Sequence, residues 1–503
     1  MTLGPRPTLT SLSEHNWDLI VIGGGITGAG VLLEAARLGY RALLLEQADF
    51  AWGTSSRSSK MVHGGLRYIA QGQVRLTRDA LRERERLLRE LPGLVERATY
   101  LFPLRKGRFP GRWPMTALLG VYDFLAGIRD RAFLSNEELL KRVPGLDDQG
   151  LGGALSYTDA LTDDCRLVLR TLLEAARYQG RAMNYARVTG ISRGDGDAAT
   201  APLRVAVRDL TDDTTATLTA HAVINATGAW AGQLGGDAER IRPLRGSHLF
   251  FSAERLPVRD CLTVLHPRDQ RPVFIFPWEG VVCVGTTDLD HPEDLNREPR
   301  ASEQEMDYLL ELLNQQFPRA GLGAGDVLSS MAGVRPVIRS SRAGKPSSEK
   351  RDHAVWEHDG VISVSGGKLT TFRLIALDAL LAAGLLDRTG WRRARHSNVP
   401  LYAPIPEAPV QVDEFLHGDQ DDDALLSWCL EHEAVVHLDD LLLRRTRLGL
   451  LRRDGGLSLH DRLQGLAADK LGWDAVRWQQ EWQRYRRLRD EYYGVPGRLA
   501  EAS

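Results

Sequence analysis

Asp18-Leu19-Ile20-Val21-Ile22-Gly23-Gly24-Gly25-Ile26-Thr27-Gly28 is the stretch whose reading decides the fold. Its first five residues form an apolar, β-branched run, the pattern of a strand buried on both faces of a parallel sheet. The run ends in a GxGxxG spacing through Gly23, Gly25 and Gly28. Val31, Leu32, Ala35, Ala36 and Leu38 then follow an amphipathic helical pattern up to Gly39, a C-terminal stop. Arg41 to Leu45 reads as a second strand, and it delivers Glu46 18 residues after Gly28.

Each part has a mechanical reason. Gly23 permits the tight turn, Gly25 lets a pyrophosphate approach the backbone, and Gly28 lets the helix pack on the sheet. Free N–H groups at Ile26 and Thr27, where the helix starts, face the phosphates. A carboxylate at Glu46 accepts ribose hydroxyls and disfavours a 2′-phosphate. The glycines alone are a weak signal. The strand before them, the helix after them and the terminal acid make a dinucleotide site.

Two further strand ends extend the pattern. Ala222 to Gly228 (AVINATG) and Val361 to Gly367 (VISVSGG) are apolar runs closing in small turns, the second followed by Lys368, Leu369, Thr370 and Thr371. Three strand ends spread along the chain imply one nucleotide domain assembled from separated segments. No second GxGxxG has the correct flanks, and Gly321 to Gly325 has the wrong spacing. One dinucleotide site without an NAD site is the logic of FAD: electrons leave the substrate for the flavin and go on to another acceptor.

The bulk numbers agree with a globular protein able to bury a large core. At roughly 150 residues per domain, 503 residues imply two to four folding units. Charged residues are 26% and hydrophobic ones 43%, and the net charge of −2 gives no case for nucleic acid as a partner. Cys165, Cys261, Cys283 and Cys429 show no CxxC pair and no metal spacing, so they read as buried reduced thiols and no metal is expected. The N-terminus lacks an apolar h-region, and no run of 18 apolar residues occurs. A cytoplasmic protein is expected, with any membrane contact made from the side.

Gly53 to Tyr68 (GTSSRSSKMVHGGLRY) is similar to the signature of the FAD-dependent, aerobic-type glycerol-3-phosphate dehydrogenases. Arg245-Gly246-Ser247-His248, Gly285-Thr286-Thr287-Asp288, Gly333-Val334-Arg335-Pro336 and Gly366 to Thr371 resemble the family in the same order. The likeness runs from Trp17 to Arg373 and continues faintly at Arg444 to Leu450 and Leu471 to Asp474. It implies an α/β fold: an FAD-binding Rossmann-like domain of the glutathione-reductase and D-amino-acid-oxidase kind, a mixed β-sheet substrate domain, and a C-terminal helical domain. It also implies oxidation of sn-glycerol 3-phosphate to dihydroxyacetone phosphate, with hydride passing from C2 to FAD N5 and electrons to a quinone. The alternatives are an oxidase of the same family that reduces oxygen to peroxide, and a non-catalytic or RNA-modifying flavoprotein.

The resemblance places Arg67, Arg335 and Arg351 at the substrate, where planar guanidinium groups suit a phosphate dianion. Arg351 rests on the short match Lys350-Arg351-Asp352 alone. Tyr68 and His248 are candidates to hydrogen-bond phosphate or hydroxyl. His63 is the candidate base for the C2 hydroxyl proton, because histidine titrates near neutrality. Guanidinium hardly deprotonates, so Arg335 is assigned to orientation and to stabilising alkoxide charge. Lys368 brings positive potential to the flavin. The cofactor set comprises Gly23, Gly25, Ile26, Thr27, Gly28, Glu46, Thr54, Ser55, Ser58, Lys60, Val62, Gly228, Gly367, Lys368, Leu369 and Thr370.

The segments 17–92, 152–230 and 340–386 are assigned to the FAD domain, and 93–151 and 231–339 to the substrate (cap) domain. Residues 387–410 form a proline-rich linker, and 411–503 the helical domain. Trp478, Trp482 and Tyr485 recur on one helix face as core. The cluster Arg444, Arg445, Arg447, Arg452 and Arg453 reads as a solvated face. Leu101 to Gly127 mixes Arg105, Lys106, Arg108 and Arg112 with Phe102, Phe109, Trp113, Met115, Leu118 and Leu119. It suits either peripheral contact with the cytoplasmic face of the inner membrane or a basic loop and packed helix. A homodimer and covalent attachment of FAD are left open.

Overall fold

A computed structural model describes residues 3, 6–70, 72–194, 201–339, 352–405, 408–409 and 422–497 of the chain. The expected first strand, Asn16–Ile22, lies inside a parallel sheet, with Thr215–Asn225 on one side and Ala42–Leu45 on the other. Val361–Gly366 continues the sheet past Thr215–Asn225, and Arg181–Met183 continues it past Ala42–Leu45. Ile22 pairs with Asn225, and Asn225 with Ser363, so the three strand ends read from the sequence stand side by side. His353–His358 closes one edge antiparallel, and the hairpin Ala186–Arg193 and Leu203–Asp209 pairs on Thr215–Asn225.

The helix Ile26–Arg37 packs against both Asp164–Arg177 and Phe372–Ala382 over this sheet. Gly30 makes the approach possible, because a Cβ there would meet the Phe372 ring at 2.7 Å. Leu19, Val21, Val31, Leu32, Leu44, Leu172 and Leu377 share one buried cluster, as strands and helices covering each other require.

A second, mostly antiparallel sheet runs in the order 289–290, 241–252, 281–285, 272–278, 261–265, 95–105, 151–162 and 61–62, with Val327–Ile338 also paired to Ile241–Ser252. The helix Glu303–Gln316, started by a Ser302–Glu305 capping box, lays Met306, Leu309 and Leu313 on it with Leu249, Ile275 and Val284. Leu151–Thr162 pairs with Val95–Arg105 in this sheet. The start of the 152–230 segment therefore belongs to the second layer, and its nucleotide-sheet part begins with the helix Asp164–Arg177. A strand buried along nearly its whole length, as this one is, does not reveal from sequence which sheet it joins.

The C-terminal helices Asp423–His432, His460–Leu471 and Ala475–Leu488 enclose Leu426, Cys429, Leu463 and Tyr485, and Trp478 and Trp482 stack at 5.5 Å. All four cysteines are buried thiols. Of the run of acids that precedes these helices in the sequence (Asp419, Asp421, Asp422 and Asp423), Asp419 and Asp421 lie outside the described residues.

The solvated arginine face is corrected. Arg444, Arg445 and Arg447 are fully buried. Acids far away in the chain fold over them: Asp49 takes Arg444 and Arg445, and Asp163 and Asp164 take Arg447. Only Arg453 of the cluster is exposed. Charge density alone signals water, and a run of sequence cannot show that matching carboxylates arrive from elsewhere.

No helix among the described residues is long and apolar enough to cross a membrane. Within Leu101 to Gly127, Phe102 and Met115 turn inward, whereas Phe109 and Trp113 are exposed, as is Phe124 on the same helix, Arg112–Ala126.

Candidate functional site

A cavity of about 1660 Å³ opens between the ends of the parallel strands and the second sheet. At one end it is built from the GxGxxG turn. Gly23 has φ +110°, and a Cβ there would meet Ala226 O at 2.7 Å; a Cβ on Gly28 would meet Gly23 O at 1.9 Å. Neither position accepts a side chain. The Ile26 N–H at the helix start donates to Ser55 Oγ at 3.0 Å, and Glu46 accepts from Gly24 N (2.6 Å) and Ala48 N (2.8 Å). Burial raises the Glu46 pKa, and these backbone donors oppose the rise. A helix start beside hydroxyls, with an acid at the next strand end, fits the phosphates and ribose of a dinucleotide.

Toward the middle, Gly228 and the left-handed pair Gly366 and Gly367 (φ +83° and +80°) form a turned wall. Ser365 Oγ donates to Gly228 O at 2.8 Å, tying two strand ends together. Thr370 Oγ1 accepts from His63 N at 3.1 Å and donates to His63 O at 3.2 Å, so the Lys368 turn clamps the His63 backbone. The next residue is held as firmly: Gly64 N donates to Asp159 Oδ1 at 3.1 Å, and Asp159 is paired with Arg84 at 2.7 Å.

At the far end His63, Tyr68, Lys368 and Arg335 face the cavity. Lys368 Nζ sits 3.5 Å from the Tyr68 ring centroid, a cation–π contact, and Gly65 leaves them room, since a Cβ there would meet that ring at 2.2 Å. Arg335 Nη2 donates to Thr286 Oγ1 at 3.0 Å, and its Nη1 lies 3.3 Å from Asp288 Oδ1. The other oxygen of Asp288 is 3.5 Å from Arg271 Nη2, so one buried carboxylate is shared by two guanidinium groups that both line the cavity. Thr54 Oγ1 donates to Val334 O, joining the serine-rich loop to the strand that carries Arg335.

Gly23, Gly25, Ile26, Thr27, Glu46, Thr54, Ser55, Ser58, Gly228, Gly367, Leu369 and Thr370 all line this cavity with the far-end group. Gly28 and Val62 lie behind its wall. Lys60 is buried and paired with Asp164 at 2.7 Å; burial and the neighbouring Arg447 lower its pKa. It acts on the loop from behind instead of facing the cavity. His248 is also enclosed: Nε2 meets Ser59 Oγ at 2.9 Å, and burial, reinforced by Arg335, drives its pKa far down. A neutral imidazole there supports Ser59 and does not line the cavity, because it sits on the strand Ile241–Ser252 against Gly285. Arg67 belongs to the short helix Leu66–Ala70, but its side chain, like the whole of Arg351, is outside the described residues.

Arg271 and Asp288 were missed as site residues. Asp288 belongs to Gly285-Thr286-Thr287-Asp288, whose sequence alone gives the carboxylate no role. Arg271 directly precedes a strand, and only the pairing of that strand turns it toward Arg335.

A parallel-sheet nucleotide fold against a β-sheet cap, with a glycine-built cradle leading to a cationic pocket, defines a flavin-dependent oxidoreductase. The family described as FAD dependent oxidoreductase matches residues 18–376, and the C-terminal domain of alpha-glycerophosphate oxidase matches residues 391–478. Aerobic glycerol-3-phosphate dehydrogenase of Bacillus subtilis is 36% identical over 73% of this chain and 67% of its own length. The enzyme of that name from Staphylococcus saprophyticus is 34% identical over 75% and 68%. The structure of the glycerol-3-phosphate dehydrogenase from Bacillus halodurans complexed with FAD superposes with a TM-score of 0.72 at 26% identity, covering 95% of this chain and 96% of that one. L-alpha-glycerophosphate oxidase from Mycoplasma pneumoniae shares the fold, with a TM-score of 0.59 at 19% identity over 74% and 95%. The chain belongs to the family of FAD-dependent glycerol-3-phosphate dehydrogenases, and its cofactor is FAD.

Proposed function

We propose that this enzyme oxidises sn-glycerol 3-phosphate to dihydroxyacetone phosphate and passes the electrons to a quinone. The observation that carries the reading is the Arg335–Asp288–Arg271 group, which opens on the same cavity as His63 and Lys368. Two guanidinium groups spaced by one carboxylate suit the oxygens of a phosphate monoester better than an amine or a neutral polyol.

Bound FAD supplies the hydride acceptor, at N5. His63 takes the proton of the C2 hydroxyl as the hydride leaves C2, so two electrons and two protons depart and a ketone remains. Arg335 holds the substrate and stabilises the developing alkoxide. Lys368, with Tyr68, keeps positive charge beside the turn that carries Gly367. Arg67 and Arg351 complete the phosphate contacts on this reading.

An apolar flank of the cavity supports a lipophilic acceptor. Phe102, Phe109, Pro110, Pro114, Met115 and Leu118 line it, and Phe109 reaches the exterior beside exposed Trp113, Lys106, Arg108 and Arg112. A basic, aromatic rim suits an anionic lipid surface, at the cytoplasmic face of the inner membrane. Anaerobic mixing of the yellow protein with glycerol 3-phosphate is expected to bleach the flavin, and glycerol is not. Bleaching by both compounds, or by neither, overturns the substrate. Peroxide formation faster than quinone-analogue reduction replaces the dehydrogenase by an oxidase. No flotation with anionic liposomes at low salt removes the membrane.

A further inference from the structure

We infer that Arg447 is a positioning residue for the FAD-facing loop Gly53–Ser59, which makes the C-terminal helical region a working part of the flavin site. The inference rests on FAD occupying the cavity described above. That loop lines the cavity through Thr54, Ser55, Ser58 and Ser59, and Ser55 touches the helix start at Ile26. Its back is held by charge. Arg447, in a left-handed conformation (φ 62°), donates to Ser56 O at 3.2 Å and pairs with Asp163 at 2.7 Å and Asp164 at 2.5 Å. Lys60 Nζ donates to the same Ser56 carbonyl at 2.7 Å and to Asp164 at 2.7 Å. Asp164 returns to the loop by accepting from Ser58 N at 2.9 Å. One backbone oxygen thus receives two cationic donors, and the same carboxylate fixes the residue two positions on.

A second contact from the end of the chain reaches the same loop. Tyr493 Oη accepts from Arg57 Nη2 at 2.9 Å, and Arg57 is itself buried and lines the cavity. Enclosed ion pairs of this kind are seldom better for net stability than apolar packing of equal volume. What distinguishes this set is its aim, at the backbone of a loop whose other side is the cofactor wall.

The test compares three variants of the holoenzyme for FAD dissociation, visible flavin spectrum and thermal midpoint. Arg447→Gln is expected to weaken FAD binding on the order of tenfold and to change the spectrum, with Arg447→Lys recovering most of the affinity. Glu433→Gln is the control: Glu433 ties the same C-terminal region to the helix Asp164–Arg177 through Arg166 at 2.7 Å but does not touch the loop. It is expected to lower the midpoint and leave FAD affinity within about twofold. Wild-type FAD affinity and spectrum in Arg447→Gln overturns the inference, as does a Glu433→Gln variant that loses FAD in proportion to its midpoint. If Arg447→Gln yields no folded protein, Tyr493→Phe decides, since it removes one hydroxyl: an unchanged FAD affinity there overturns the inference and a severalfold loss upholds it. A wild-type protein that carries no flavin would instead overturn the functional reading itself.

Discussion

Arginines meet aspartates in two regions of this molecule, and the two do different work. At the cavity, Arg271 and Arg335 share Asp288, and their side chains keep 21% and 24% of their surface accessible. Behind the flavin loop, Arg444, Arg445, Arg447 and Lys60 meet Asp49, Asp163, Asp164, Asp439 and Asp440, and the side chain of Arg445 is sealed from solvent. The first arrangement places guanidinium groups on the cavity wall. The second spends them on internal geometry. Residue type is the same, and what separates the roles is whether the packing around the ion pair seals the cation or leaves part of it on the cavity wall.

The largest effect is expected in the closed region. Asp49→Asn takes the countercharge from two buried guanidinium groups, and uncompensated buried charge costs about 3–5 kcal/mol. Urea unfolding at neutral pH should show that loss, while the folded fraction keeps the wild-type KM. The acid limb provides a second reading. Burial pushes the Asp49 carboxyl up, but Arg445 and Arg444 overcome it and hold it at about 2. A depressed folded pKa gives stability that is present above the unfolded value of about 3.9 and is lost as pH falls toward 2. The variant should therefore have a flatter profile in that window. An unchanged midpoint and acid limb would erase the distinction between the two regions.

At the open region the loss should appear in chemistry. Arg335→Met is expected to slow substrate-dependent flavin reduction by about 10²–10³-fold with FAD still bound, the size of effect seen when one charge-stabilising donor is removed. His63→Asn should lose about as much through the missing base. Stopped-flow reduction measures both, and a near-wild-type rate removes that residue from the mechanism. Arg271→Met sharpens the assignment further. If it only binds phosphate, KM should rise about tenfold with kcat nearly unchanged. A fall in kcat with an unchanged KM would place Arg271 in the chemical step instead.

The nucleotide half of this design was legible because its signals are local. Gly23, Gly25 and Gly28 answer to backbone geometry within one turn, and Glu46 is fixed by strand length, so sequence spacing maps directly onto space. The quoted motifs were legible as pieces of a site, and His63, Tyr68, Lys368 and Arg335 do face one cavity. Illegible was everything that depends on which remote segment arrives. Lys60 and His248 sit in or beside the same motifs as the lining residues, but strand pairing turns one toward Asp164 and the other beneath Ser59. Arg447 is three residues from Arg444, and only the approach of Asp163 and Asp164 reveals that it is internal.

His353 tests the comparison at its smallest scale, because it lies between the two extremes. It is half enclosed under the Gly367 turn, with Asp352 at 3.3 Å and Asp378 at 2.9 Å, and Trp391 Nε1 donates to the other Asp378 oxygen at 2.7 Å. Burial alone would lower its pKa, but the bonds to Asp352 and Asp378 raise it to about 9. A raised folded pKa gives stability that is fully present below the unfolded value of about 6.5 and disappears as pH rises through about 9. The wild-type thermal midpoint should therefore decline between those values by more than that of His353→Gln, which has no proton to lose. Part of the countercharge is exposed, as Asp352 is at the surface, so the difference should be modest, about 1 kcal/mol. Because Gly367 N donates to Asp352 O at 3.2 Å, the same titration bears on the turn that carries Lys368. If the brace matters there, alkaline loss of stability and a change in the flavin spectrum should share one midpoint in the wild type and both be absent from His353→Gln. Identical alkaline profiles in the two proteins would mean that His353 is a solvated pair with no hold on the turn.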